Sequence, residues 1–401
     1  MPQVLTGQII WAICQTVVVL VLSHQSQFSI IGFYSFALSI FAPLCLAGSF
    51  NLRTFVVVGD EAQYSPASVI LLRSIVVGGA FAITVTCVCF LADNVAAAVA
   101  ASALLALRAV DQLSDAAIGF YQRDARFDRV GRSFALRGVA GALPFLALTF
   151  WGVDVFSAAV VTLAIVAPLV AYFDLMPLLK QSGSKLPWTE GIRKLVFALR
   201  HSSLPAFFPL LDNLQFNSFR YAAFFYLPTV EFAFVGLAHI LYGPFQLLTS
   251  AFGFKFLSQA ASLTRENQVQ GQNRHLVRGV LIGAFISLLF LVGVVVAPVF
   301  VLELLIGKQA AEAVPYLEIT AIAMLPVATA GFVSLSLAAR KTTRAYAAAP
   351  LVSLIAFVVV LLGVVLLGYS DLLFFITAAY VLCYMIRILI SVVSFRNARP
   401  A

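Results

Sequence analysis

Charge is what this chain has least of. Of its 401 residues only 10% are Asp, Glu, Lys or Arg, 62% are apolar, and the mean hydropathy is +1.01. A soluble globular domain of this length is excluded by that composition. Four histidines are present, His24, His201, His239 and His275, spread along the chain without a pairing pattern. Metal-ligand spacing, a P-loop, an H-E-x-x-H motif and a dinucleotide glycine loop are all missing, so no metal or cofactor is indicated. Without a nucleotide site, active transport by such a chain draws on a proton or sodium gradient, or on the gradient of its substrate. The five cysteines, Cys14, Cys45, Cys87, Cys89 and Cys383, all fall in apolar runs. They read as small packing residues rather than a disulfide framework or a metal cluster. The opening residues, MPQVLTGQIIW, lack the basic flank and cleavage site of a secretory signal, so the first apolar run is expected to be retained.

What the chain has in abundance is long apolar runs. Twelve can be placed, at roughly 4–22, 28–48, 68–90, 95–117, 133–152, 156–179, 204–227, 230–254, 277–299, 314–338, 346–367 and 371–393. They are continuous rather than alternating, which excludes a β-barrel and predicts an all-α polytopic membrane protein of twelve transmembrane helices. The most polar long stretch, KQSGSKLPWTEGIRKLVFALRHS, divides six runs from six. It predicts an N-terminal lobe over 1–180, a cytoplasmic linker over 181–203 and a C-terminal lobe over 204–401. A faint repeat pairs Ala37, Pro43, Phe50 and Arg53 with Ala238, Pro244, Phe252 and Lys255. Six runs per half imply a parallel repeat, with pseudo-two-fold symmetry about the membrane normal.

The net charge of +8 is topological. With the N-terminus inside, all but two of the 25 basic residues fall in inner loops or adjoining helix ends, the exceptions being Lys308 and Arg220. The positive-inside rule thus expects both termini on the cytoplasmic side. No nucleic-acid partner is indicated. Outer loops are short and acidic, carrying Asp93, Asp154, Glu231, Glu303, Glu312, Glu318 and Asp371, and they leave no room for an extracytoplasmic domain.

Arg220 lies inside the seventh run. At about 100° per residue, Asn213, Asn217 and Arg220 form one narrow polar stripe on an apolar helix, with Asp212 about 100° away. An ionisable side chain in a span carries a penalty of about 2.5 to 3.5 kcal/mol, so it normally faces a bundle interior or a water-filled cavity. The stripe therefore predicts a polar cavity, with Arg53 at the inner mouth of the second run. Arg108, Asp111 and Asp115 share a face at the end of the fourth run and read as a solvated, ion-paired helix extension. The basic inner loop that follows would attract anionic membrane lipids. Gly78 and Gly79 are expected to permit close helix approach, and Pro144, Pro168 and Pro177 to bend helices five and six. His239 reads as a packing residue. Runs nine to twelve are polar-poor and read as scaffold, with Arg387 snorkelling from the inner half of the last.

Three stretches carry a resemblance: LAGSFNLRTFVV, GFYQRDARFDRVGRSFALRGV and NSFRYAAFFYLPTVEFAFVGLAHIL. They resemble the polysaccharide transporter branch of the multidrug/oligosaccharidyl-lipid/polysaccharide exporter superfamily, which includes bacterial O-antigen flippases. The resemblance implies two six-helix lobes in a V around a central cavity that opens alternately to either side. It implies an undecaprenyl diphosphate-linked oligosaccharide as cargo, flipped across the bacterial inner membrane for lipopolysaccharide O-antigen or exopolysaccharide synthesis. It further implies a monomer that works beside a polysaccharide polymerase and a chain-length regulator. On matching positions Arg53, Arg220 and Arg132 are the cationic substrate contacts, with Asn213 and Asn217 beside them. The chain departs from the family in starting almost at its first span, without a basic amphipathic lead-in.

Two alternatives stay open. A cation-coupled drug exporter of the same superfamily would use cavity carboxylates, for which Asp111, Asp115 and Asp212 are the candidates; the same three are the candidates for ion coupling in a flippase. A membrane enzyme, either polymerase or acyltransferase, would need a large outer loop or a buried histidine with polar partners, and neither is evident. The expected class is therefore a transporter rather than an enzyme.

Overall fold

An apolar run can cross a bilayer only if its backbone N–H and C=O groups are bonded within the segment, which for a single run means a helix. The computed structural model describes residues 2–25, 27–49, 56, 65–181, 203–266, 268–296, 303–304, 306–307, 309–340, 343–367 and 371–397. Among the described residues the long elements are all helical. In chain order they are α1 (Pro2–His24), α2 (Phe28–Ser49), α3 (Pro66–Leu91), α4 (Val95–Arg123) and α5 (Phe127–Phe150). The sixth, α6, runs over Val155–Val170, passes through a π-helical turn at Ala171–Leu175 and ends in Met176–Gln181. Then come α7 (Ser203–Tyr226), α8 (Thr229–Arg265), α9 (Val269–Val296), α10 (Ala310–Ala339), α11 (Thr343–Leu366) and α12 (Leu372–Asn397). Eleven of these are long and apolar enough to cross a membrane. The twelfth is α7, which carries Asp212, Asn213, Gln215, Asn217 and Arg220 along its length. The protein is an all-α polytopic membrane protein.

Local chemistry sets the helix ends. Asn94 caps α4 by accepting from Ala97 N–H at 3.1 Å, and Asp154 caps α6 by accepting from Ser157 N–H at 3.0 Å. Hydrogen bonds from Ser157 hold the Asp154 carboxyl below the usual carboxylate range. Pro66 opens α3 at a position where a missing N–H goes unnoticed. The π turn of α6 falls between Pro168 and Pro177, the kind of place where a helix interrupted by proline widens by one residue.

The chain divides into two compact units, Met1–Pro209 and Leu210–Ala401, with the division inside α7. The linker expected at 181–203 lies, apart from its two end residues, outside the described residues. Pro43 and Pro244, paired by the faint repeat, sit inside α2 and α8, and Ala37 and Ala238 are both fully buried. Phe50 and Arg53 fall outside the described residues, as does the side chain of Lys255.

In unit 1, α1 packs along α5, α2 lies against α3 and α4, and α6 against α4 and α5. Lipid is as apolar as leucine, so helix contact relies on close van der Waals approach at small residues. A Cβ on Gly131 would sit 2.3 Å from the Gln3 carbonyl oxygen, and one on Gly138 2.7 Å from the Trp11 Cα. These glycines, with Gly7 facing Gly131, form the α1–α5 seam. Gly78 and Gly79, expected to serve that purpose on α3, instead have open space where a side chain would go. The difference is testable. Gly131→Val forces α1 off α5 and is expected to destabilise by about 1 to 3 kcal/mol, read as a lower melting temperature in detergent. Gly78→Ala should leave that temperature unchanged.

Unit 2 is built around α10, which touches α8, α9 and α12, with α11 against α12. Gly283 of α9 meets the backbone of Ala328 and Thr329. At the far end of α10, Arg340 Nε donates to Gln272 Oε1 at 2.7 Å. Its Nη1 donates to the Phe395 carbonyl, and the guanidinium lies 3.5 Å over the Phe395 ring, which ties the ends of α9, α10 and α12 together. Exposed Ile75, Phe90, Leu143, Phe285, Val359 and Leu389 give both units apolar outer faces suited to lipid.

Candidate functional site

The polar stripe on α7 exists as a hydrogen-bonded ladder. Asn217 Nδ2 donates to the Asn213 carbonyl and to Asn213 Oδ1, each at 2.8 Å, and Arg220 Nη2 donates to Asn217 Oδ1. The ladder is internal to unit 2. Asn217 is 1% exposed and Arg220 7%, so the arginine does not snorkel to the surface. Its guanidinium carbon lies 5.7 Å from the centroid of the Phe216 ring. Around it, Phe219 stacks on His239 of α8 at 5.6 Å and meets Tyr380 of α12 edge-on at 5.4 Å. The Tyr380 hydroxyl donates to the Phe216 carbonyl at 3.2 Å. His239 is a packing residue whose Nδ1 bonds to the Val235 carbonyl one turn back at 3.1 Å.

A second polar face of α7 meets α12. Arg387 is buried and does not snorkel: its Nη2 donates to Asp212 Oδ1 at 2.5 Å and to Ser334 Oγ of α10 at 2.9 Å. Its Nη1 donates to Gln215 Oε1 at 2.8 Å. The last span is therefore more than scaffold, because a guanidinium this deep is held only where several acceptors converge. The signal was present on α7 itself. Asp212 and Gln215 lie about 60° apart on the side opposite the Asn213–Arg220 stripe, so the helix has two polar faces and needs two partners.

Unit 1 has its own buried charges. Arg137 of α5, counted at first with the inner-loop cations, is 2% exposed. Its Nη1 donates to the Asp111 carbonyl at 3.1 Å and to Asp111 Oδ1 at 3.3 Å, and its Nε to the Ser133 carbonyl at 3.2 Å. Asp111 also accepts from Trp11 Nε1 at 3.2 Å and pairs with Arg108 at 3.8 Å. Arg108 Nε in turn donates to the Tyr34 hydroxyl at 2.9 Å. The other neighbour of Arg137, at 3.9 Å, is Asp174 in the π turn of α6, which accepts from the hydroxyls of Ser114 and Ser133. The charges around Asp111 are thus interior, in a network that draws on five helices, rather than forming a solvated extension. A cavity of about 20 Å³ lies among Gln15, Tyr34, Asp111, Arg137 and Gly141, roomy enough for one water.

Asp115 turns away from Arg108 and Asp111. It pairs with Arg73 of α3 at 3.6 Å, while Arg73 Nε donates to the Gln112 carbonyl at 2.9 Å. Arg132 is exposed on α5 and joins none of these groups. Arg53 lies outside the described residues.

No family model and no curated protein sequence matches the chain. Solved structures do. The lipid II flippase MurJ, in an inward closed conformation, superposes with a TM-score of 0.68 over 98% of this chain and 87% of its own, at 12% identity. The eukaryotic MATE transporter AtDTX14 gives 0.63 over 99% and 94%, at 10% identity. The chain has the MATE and MurJ fold. The Vibrio cholerae MATE transporter VcmN also matches, with a TM-score of 0.59 over 99% and 95%, at 14% identity. At these identities the common property is the helix arrangement. Within the MATE-like fold the two halves differ in what they bury. Unit 1 buries Arg73 and Arg137 with Asp174, whereas the buried charged residues described in unit 2 are Arg220, Arg340 and Arg387.

Proposed function

We propose that the chain is a flippase for an anionic lipid-linked oligosaccharide, an undecaprenyl diphosphate-linked sugar carried from the inner to the outer leaflet of the bacterial inner membrane. Alternating access driven by an ion gradient would move it. The observation that carries this reading is the set of buried charges in unit 2, where Arg220, Arg340 and Arg387 are buried and the acidic Asp212 is partly exposed. A cationic interior suits a diphosphate, since arginine bonds phosphate oxygens in pairs and does so more strongly at low dielectric. It does not suit a cationic drug, which needs carboxylates facing it. The resemblance of the three sequence stretches to polysaccharide transporters points the same way, and the lipid II flippase MurJ has the same fold. The polymerase and chain-length regulator remain proposed partners, and both termini are proposed to be cytoplasmic.

Two strains test the reading. In a host lacking its own flippase, the chain is expected to restore surface polysaccharide. In a strain stripped of drug pumps it is expected to give no resistance to cationic drugs. Resistance without restored polysaccharide would establish the drug exporter instead.

A further inference from the structure

Each unit holds one arginine by the same device. In unit 2, Asp212 and Gln215 lie three residues apart on α7 and share Arg387 of α12, at 2.5 and 2.8 Å. In unit 1, Gln112 and Asp115 lie three apart on α4 and share Arg73 of α3, at 2.5 and 3.6 Å. Both guanidiniums are buried, their side chains 4% and 7% exposed, while the carboxylates are the open members at 35% and 31%. An amide holds the arginine from inside, and a carboxylate covers it from outside. Such a guanidinium is already oriented for an oxyanion, with the carboxylate oxygen lying where a ligand oxygen would lie.

The geometry points to Arg387 as a second anion station, at which phosphate oxygens of a lipid diphosphate take the place of the Asp212 carboxylate; this rests on the flippase reading. Arg387 is the better placed of the two arginines, because its carboxylate contact is the shorter and Ser334 adds a third acceptor at 2.9 Å. Exchange of one oxyanion for another keeps the buried cation paired throughout. Simple departure of Asp212 would leave it bare, which a low-dielectric interior opposes. Gln215 and Ser334 keep the guanidinium in position while the carboxylate, the exposed partner, swings out.

Asp212 also lies eight residues before Arg220 on α7, about 12 Å along the helix axis, on the side that the charge pattern assigns to the cytoplasm. A headgroup entering from that side meets Arg387 first and Arg220 second. Unit 2 thereby carries two cationic stations at different depths on one helix. Asp212 is then a positioning residue that holds the inner station closed until an anion arrives.

The test uses full-length protein in detergent, geranylgeranyl diphosphate as the probe and geranylgeraniol as the uncharged control. Wild type is expected to bind the diphosphate and not the alcohol. Asp212→Asn, having lost the internal competitor, should bind about tenfold more tightly. The neutral pair Asp212→Asn with Arg387→Gln leaves no buried charge uncompensated, so it reports even where the single variant accumulates poorly. It should bind at least about tenfold more weakly than wild type. Normal binding by the neutral pair, or Asp212→Asn binding no tighter, overturns the role of Arg387, and weaker binding by Arg220→Ala in that experiment would leave the flippase reading standing. Wild type that ignores the diphosphate overturns both.

Discussion

Arg220→Ala is expected to abolish surface polysaccharide in a host that depends on this chain, while leaving the amount of protein in the membrane near the wild-type level. Loss of a charge-assisted contact to a phosphate in a desolvated site weakens binding by about 2 to 5 kcal/mol, which is about thirtyfold at the least and enough to stop flux at cellular substrate levels. The protein should still fold. Removing a buried cation relieves a desolvation penalty instead of creating one, and it does so in a unit where Arg340 and Arg387 are buried as well. Asn217 keeps its two bonds to Asn213 when the guanidinium is gone. Arg220→Lys separates charge from shape, since it keeps the charge but lacks the planar fork, so an intermediate level of polysaccharide is expected. Normal polysaccharide from the alanine variant would remove Arg220 from the substrate path.

That variant could be chosen from the sequence; several others could not. Continuous apolar runs locate each of these helices, because a segment in lipid must satisfy its backbone internally, but not every end: α8 runs on to Arg265 past a run that stops at 254, and α9 starts at Val269 ahead of a run that opens at 277. The Asn213–Arg220 stripe was legible because its members are one turn apart on one helix, where spacing alone decides who is adjacent. Contacts between helices follow no such rule. Arg137 and Arg387 each lie about ten residues from a helix end, where an arginine that reaches water and one that turns inward look identical in sequence. What distinguishes them is a partner on another helix, Asp111 and Asp174 for the first and Asp212 for the second. The glycines show the same limit: Gly78 and Gly79 look like a packing motif, yet the close approach is made by Gly7, Gly131 and Gly138, whose neighbours come from another helix. Asp174 drew no notice because its burial depends on a π turn that the prolines around it only hint at.

Arg137→Met is expected to cost unit 1 about 3 to 5 kcal/mol, the penalty for breaking a buried pair from one side. The arginine joins α5 to α4 through Asp111 and approaches Asp174 of α6 at 3.9 Å, so its loss leaves two interior carboxylates without the guanidinium that pairs with both. Asp111 would retain Trp11 and Arg108, and Asp174 the hydroxyls of Ser114 and Ser133. Those groups hold the side chains in place, and the cations that stay are Arg108, 3.8 Å from Asp111, and Arg129, which attracts Asp174 from farther away. Arg137→Lys should recover little, because one ammonium cannot bond the Ser133 carbonyl, the Asp111 carbonyl and the Asp111 carboxylate in the directions the planar fork allows. Neutralising the acid as well, with Arg137→Met and Asp174→Asn together, should restore a large part of the loss, since one uncompensated charge goes with its partner. Arg132→Ala, five residues earlier on an exposed face of the same helix, is expected to change stability by less than about 0.5 kcal/mol. The measurement is thermal unfolding of the four variants in one detergent. Equal melting temperatures for Arg137→Met and Arg132→Ala would mean that the Arg137 network does not hold unit 1 together.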